Sequence, residues 1–171
     1  MGVLMSSNFR NILFWVALLI IIVTGYFFVG ILFDWSDFGV KIGEYRLNHW
    51  LGWIGFAFIL IHIPLFETLK ARYVNKIKTL LGIHVLGDLL AFLLITIHFA
   101  SQISRPAAYY PDLGTGIALY AFMVMLVTTG FFQRFNLLCN SNNTWNFLHK
   151  SSVVALFVII LIHILQGIKI I

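Results

Sequence analysis

The chain has 171 residues, 61% of them hydrophobic and 10% charged, with a mean hydropathy of +0.97. A water-soluble domain of this length needs a far more polar surface, so composition points to an all-α integral membrane bundle. The formal net charge of +5 fits topological bias and contact with anionic lipid, and gives no reason to expect nucleic-acid binding.

Five apolar runs come near the ~20 residues that a spanning helix needs, at roughly 12–33, 47–66, 79–103, 113–132 and 145–171. They predict a single transmembrane domain over 1–171, with no room between the runs for a soluble catalytic domain. The first run follows Arg10. It is too long for a signal-peptide core and has no convincing small-residue cleavage site, so it is read as a helix. The second run carries His49 and His62. The segment E67-TLKARYVNKIK-78 brings Lys70, Arg72, Lys76 and Lys78 into one short connection, which places that connection on the cytoplasmic side. The N-terminus and the loop after Arg134 are then cytoplasmic and the C-terminus is outside. The absence of a long soluble loop or an organelle-targeting segment makes a prokaryotic plasma membrane the expected location.

The third run is bounded by histidines, H84-VLGDLLAFLLITI-H98, and the fifth repeats the arrangement with His149 and His163. An α-helix turns about 100° and rises ~1.5 Å per residue, so fourteen steps return to within about 40° of one face after ~21 Å. Helices three and five run in the same direction, which puts His84 and His149 at an inner level and His98 and His163 at an outer one. Two imidazoles at each of two depths suit the axial ligation of two stacked haems. His49 and His62 are thirteen steps apart and therefore about 140° apart on an ideal helix. They are not expected to point squarely at one neighbour without local distortion.

Each histidine also has a plainer reading as a hydrogen-bonding group between helices. Three pairs at near-constant spacing are harder to explain that way, because intramembrane ionisable groups are costly and usually functional. Zinc would draw its ligands into one tetrahedron, whereas these histidines are spread across the bilayer. A proton relay would be expected to include carboxylates along its path, and Asp88 alone lies deep.

Gly52 and Gly87 each follow a histidine by three positions, in H-W-L-G and H-V-L-G. A glycine there admits either a flat macrocycle or a second helix. Arg46, Lys150 and Trp145 lie near the histidine levels, where the two cations either pair with haem propionates or anchor helix ends at the interface. The phenylalanines are expected mainly to face lipid or fill the core. V23-TG-25 before H49…H62 and V127-TTG-130 before H149…H163 suggest a weak inverted repeat around the third helix. Cys139 is a lone cysteine, so no intrachain disulfide is expected. No C-x-x-C-H occurs for covalent haem attachment, and the thiol is expected to be reduced.

H84-x13-H98, a connecting fourth helix, and W145-NFLHK with H149-x13-H163 together resemble the ferric-reductase-like transmembrane haem domain. That group includes the NADPH-oxidase membrane domains and the haem subunit of the bacterial methionine-sulfoxide reductase system. The resemblance covers residues 79–171 and implies a b-type cytochrome, with His84 and His149 as inner haem ligands and His98 and His163 as outer ones. Helices one and two, with V23-TG and N48-HWLG…LIHI, look more like small membrane cytochromes b of the hydrogenase, formate-dehydrogenase and b561 type. Nothing like the quinol-oxidation motif of respiratory cytochrome b is present. The chain carries no flavin or nicotinamide domain, and the reductase group does not lead one to expect His49 and His62. A third haem, or ligation from helix two in place of three or five, therefore stays open.

The implied function is electron transfer across the membrane through two haems b. One end would meet a quinone or a peripheral flavin, iron–sulfur or cytochrome c partner, within a larger oxidoreductase complex. Asp88, Glu67 or a spare histidine would exchange protons with a quinone. Two alternatives remain at this point: a non-redox transporter or channel using the histidines, and a haem-containing structural subunit with no substrate site of its own.

Overall fold

The computed structural model describes residues 7–106, 108, 113–135, 137 and 142–167. Cys139 and the last four residues of the expected fifth helix lie outside them. Five long helices account for most of the described chain: α1 (Ser7–Leu32), α2 (Leu47–Arg72), α3 (Ile77–Ile103), α4 (Gly114–Phe135) and α5 (Asn142–Gly167). All five are long and apolar enough to cross a membrane, so the all-α expectation holds. In hydrocarbon, a helix satisfies its own backbone polar groups. Exposed Trp15, Leu19, Ile22, Ile61, Ile83, Val154 and Leu161 give these helices the apolar outer faces that lipid requires.

The apolar runs fix the helix centres but not their ends. α2 continues from Phe66 through Glu67-TLKAR to Arg72, because Glu, Leu, Lys, Ala and Arg are all good helix formers. Lys70 Nζ also reaches back to Glu67 at 2.7 Å. A short 3₁₀ turn, Val74–Lys76, then leads into α3.

The chain divides into two compact units, Met1–Ser101 and Gln102–Ile171. In the first, α1 ends where Asp34 turns left-handed at φ 58 and the Trp35 N–H bonds the Gly30 carbonyl at 2.7 Å. A small hairpin follows that the sequence reading did not anticipate: β1 (Lys41–Ile42) pairs antiparallel with β2 (Tyr45–Arg46). Gly43 at φ 65 occupies the first corner of its two-residue turn, a position that favours glycine. The hairpin fixes the start of α2. Leu47 N–H bonds the Val40 carbonyl, Asn48 N–H bonds the Phe38 carbonyl, and the Trp50 indole N–H bonds the Ile42 carbonyl at 3.0 Å.

The buried residues of α2 are Asn48, Gly55, Ile59, His62 and Phe66, a seam with heptad-like spacing. Gly52 and Gly55 let α3 come close. A Cβ at Gly52 would stand 2.8 Å from His98 Cγ, and one at Gly55 would stand 2.9 Å from Ile95 Cγ1. Ile31, Ile97 and Ala100 form a core that Phe27, Phe38 and Leu51 complete.

In the second unit, α4 and α5 pack antiparallel, with Gly130 beside His149 at one end and Gly116 beside His163 at the other. Thr129 and Ser152 are buried there, and both turn their hydroxyl protons onto their own helices. Thr129 donates to the Met125 carbonyl and Ser152 to the Leu148 carbonyl.

Candidate functional site

α2 and α3 run antiparallel in the first unit, so their four histidines meet in two clusters. Near the α2–α3 connection, His62 and His84 flank Asp88. His62 Nδ1 is 3.0 Å from Asp88 Oδ1. His84 Nδ1 is 3.1 Å from Asp88 Oδ2, within ion-pair reach but out of hydrogen-bond alignment. His84 and Asp88 are one helical turn apart on α3, where side chains share a face, and His62 arrives from α2. One carboxylate thus bridges imidazoles from two helices.

Aromatic rings enclose this pair. Phe58 lies over His62 at 5.0 Å between centroids, His62 and His84 are 5.6 Å apart, and Phe66 stacks on His84 at 4.0 Å with a 7° tilt. Gly87 provides the space, since a Cβ there would stand 3.0 Å from both His62 Cε1 and Phe58 Cε1. Pro64, inside α2, has no N–H for the carbonyl four residues back, so the turn around His62 lacks one rung of its ladder.

At the far end of the same two helices, buried Asn48 organises the second cluster. Its side-chain oxygen is 2.9 Å from His49 Nδ1, and its backbone carbonyl accepts from His98 Nδ1 at 3.1 Å. The His49 and His98 rings meet edge to face with centroids 5.5 Å apart. The helix-two histidines were not expected to address one neighbour, yet both reach α3. The 140° offset is real at the backbone: His62 lies on the seam, while His49 lies one position off it, beside Asn48. Gly52 and Gly55 bring the helices so close that a ring from either flank of α2 reaches the partner.

The histidines of α5 are held by threonines of α4. His149 Nδ1 is 3.0 Å from Thr129 Oγ1, and His163 Nδ1 is 2.9 Å from Thr115 Oγ1. Each hydroxyl has another acceptor within reach for its single proton, the Met125 carbonyl at 2.8 Å from Thr129 and Gln166 Oε1 at 2.8 Å from Thr115. With the proton placed there, each hydroxyl oxygen is left to accept from histidine.

The same logic covers all six imidazoles. A carboxylate, an amide oxygen, a backbone carbonyl or a hydroxyl with its proton placed elsewhere faces each Nδ1, so each can accept from it. The proton belongs on Nδ1 and the lone pair on Nε2. That is the tautomer a histidine takes when Nε2 ligates a metal and Nδ1–H is anchored by an outer partner.

The structure brings together His62 with His84 and His49 with His98. His149 and His163 lie in the second unit. The expected partnerships of His84 with His149 and of His98 with His163 run between the units and stay expectations. Gly52 and Gly87 admit a close approach of the facing helix, the plainer of their two readings, and the approaching groups include His98 and His62. Arg46 pairs across the hairpin with Lys41, and both Arg46 and Lys150 are exposed. Trp145 packs edge-on against Phe132 at 6.1 Å.

The sequence reading missed Asn48, Thr115, Thr129 and the two ring-stacking phenylalanines. Thr129 stood within the VTTG motif and Asn48 directly before His49, so both had a local signal. Thr115 had none. No protein-family model matches the chain, and no curated protein or solved structure matches it.

Proposed function

We propose that this protein is a b-type membrane cytochrome that carries electrons across a bilayer. One observation carries the reading: every histidine has an acceptor within 3.1 Å of Nδ1, which favours the tautomer with its lone pair on Nε2, the atom that would ligate iron. Interhelical hydrogen bonding alone would not require an acceptor beside the same nitrogen of all six histidines. The donor set fits haem b, which when bound would supply reversible one-electron chemistry.

His84 and His149 would hold the inner haem and His98 and His163 the outer one. His62 and His49, standing beside His84 and His98, are the rival ligands at each level and leave room for a third haem. The chain's own contribution is to fix the imidazole tautomers, to exclude water with Phe58, Phe66 and the apolar helices, and to keep the ring planes from rotating. Arg46 and Lys150, exposed near helix ends, would pair with propionates. The electron partners would be a quinone in the bilayer and a peripheral flavin, iron–sulfur or cytochrome c subunit. The basic segment from Lys70 to Lys78 would face the cytoplasm of a prokaryotic cell.

Protein purified from cells well supplied with haem should give a b-type pyridine haemochrome spectrum with about two haems per chain. Haem-free protein under those conditions overturns the reading.

A second reading has its own observation. His62, His84 and Asp88 each offer one ligand atom, and these atoms lie within 4.8 Å of one another. Two imidazoles and a carboxylate suit a divalent transition metal, as a transporter or channel would need. Stoichiometric metal in haem-free protein, lost in His62→Ala, would favour it.

A further inference from the structure

The two histidine clusters of the first unit differ in one chemical respect. At the end nearer the α2–α3 connection the acceptor for His62 and His84 is a carboxylate, Asp88. At the opposite end the acceptors for His49 and His98 are the side-chain amide oxygen and backbone carbonyl of Asn48. On α4 and α5 the acceptors are threonine hydroxyls. Asp88 is thus the one carboxylate on an imidazole Nδ1 among the described residues.

Two effects follow, and they have the same sign. A carboxylate pulls on the Nδ1 proton harder than a neutral acceptor does, giving the imidazole imidazolate character and raising its basicity as a ligand. A more basic axial ligand favours ferric iron. The negative charge of Asp88 also lies where water is scarce, its side chain 29% exposed beside imidazoles that are 11% and 16% exposed. At such an effective dielectric a nearby anion stabilises the more positive, oxidised state. The charge effect acts whichever of His62 and His84 carries the iron, whereas the hydrogen-bond effect acts through His62, whose Nδ1 is the one aligned with the carboxylate.

We infer that Asp88 is a positioning residue that makes the His62/His84 level the lower-potential of the two haem levels. The inference rests on the haem reading above. An electron would then pass from this level to the His49/His98 level, leaving ferric iron at the first and ferrous iron at the second, with no bond or proton exchanged.

Optical redox titration of the purified holoprotein tests this. The wild type should resolve two one-electron waves. In Asp88→Asn, which keeps the side chain's size and removes its charge, the lower wave should move to more positive potential while the upper wave stays in place. Asp88→Glu, which keeps the charge, should hold the waves apart. A single wave in the wild type overturns the inference, as does a D88N protein whose lower wave stays put or whose upper wave moves instead. If D88N is recovered without haem, D88E decides: two separated waves support the inference, and merged waves overturn it. Wild-type protein without haem overturns the haem reading itself, a different result from haem-loaded protein whose waves ignore Asp88.

Discussion

Thr129 Oγ1 stands 3.0 Å from His149 Nδ1 and 2.8 Å from the Met125 carbonyl, placed to give its proton to the carbonyl and accept from the imidazole. That relay fixes the imidazole tautomer from a buried position on the facing helix. Replacing Thr129 by valine keeps the shape and removes the acceptor, leaving Nδ1–H in an apolar setting. The expected cost is about 1–3 kcal/mol of stability, with a roughly 10- to 100-fold loss of affinity for a ligand held by His149. Thr129→Ser should retain most of both. Haem titration of the apo-protein and thermal unfolding in detergent measure the two effects, and equal behaviour of the valine and serine variants would count against the relay.

Gly52 is a contact point for an imidazole. A Cβ at this position would stand 2.8 Å from His98 Cγ, a ring atom with no flexible end to swing away. Gly52→Ala is therefore expected to lower stability by about 1–3 kcal/mol through overpacking. Gly25 offers the matched control, since nothing lies within 4 Å of its would-be Cβ. Gly25→Ala should be neutral, or stabilising by roughly 0.5–1 kcal/mol from helix propensity. Unfolding midpoints of the two variants, measured side by side, check the contrast.

His62 and Asp88 join α2 to α3 with little exposure on the histidine side. A double-mutant cycle of His62→Gln and Asp88→Asn should give a coupling energy of about 0.5–3 kcal/mol, read from unfolding in detergent. Additive losses would mean that the 3.0 Å contact contributes nothing as a pair.

Asn48 serves two histidines through different atoms, and substitution separates them. Asn48→Ala removes the acceptor for His49 but leaves the backbone carbonyl that accepts from His98. Imidazole ¹⁵N spectra should show His49 losing its fixed tautomer while the His98 signals stay in place. Movement of both would show that the hairpin's hold on the start of α2 had failed as well.

The basic segment predicts orientation. A cysteine at Lys76, placed in a Cys139→Ser background, should react with a membrane-impermeant maleimide in inside-out vesicles and not in right-side-out ones. The reverse pattern would invert the topology.

Much of the fold was legible because hydropathy in a membrane chain reports directly on backbone placement. Each of the five apolar runs gives a helix long and apolar enough to cross a membrane, the local structure that satisfies its own backbone polar groups. The ends were less legible. Glu67 to Arg72 reads as a polar break but continues α2, because helix propensity and ion pairing outlast apolarity. The hairpin at Lys41–Arg46 was hidden by its length, though Gly43 carried its turn signal.

The sequence by itself determined which side chains to propose as ligands. Histidines are so costly inside an apolar helix that their number and spacing mark them without any structure. Only the tertiary structure decided what stands against the Nδ1 atoms of His62, His98, His149 and His163, because Asp88, Asn48, Thr129 and Thr115 reach them across helix–helix contacts. It also decided that both α2 histidines meet α3. Helical periodicity fixes the direction of a side chain from its own axis, but the distance to the neighbouring axis is set by packing. At Gly52 and Gly55 that distance is short enough for an offset of about 140° not to keep the imidazoles apart.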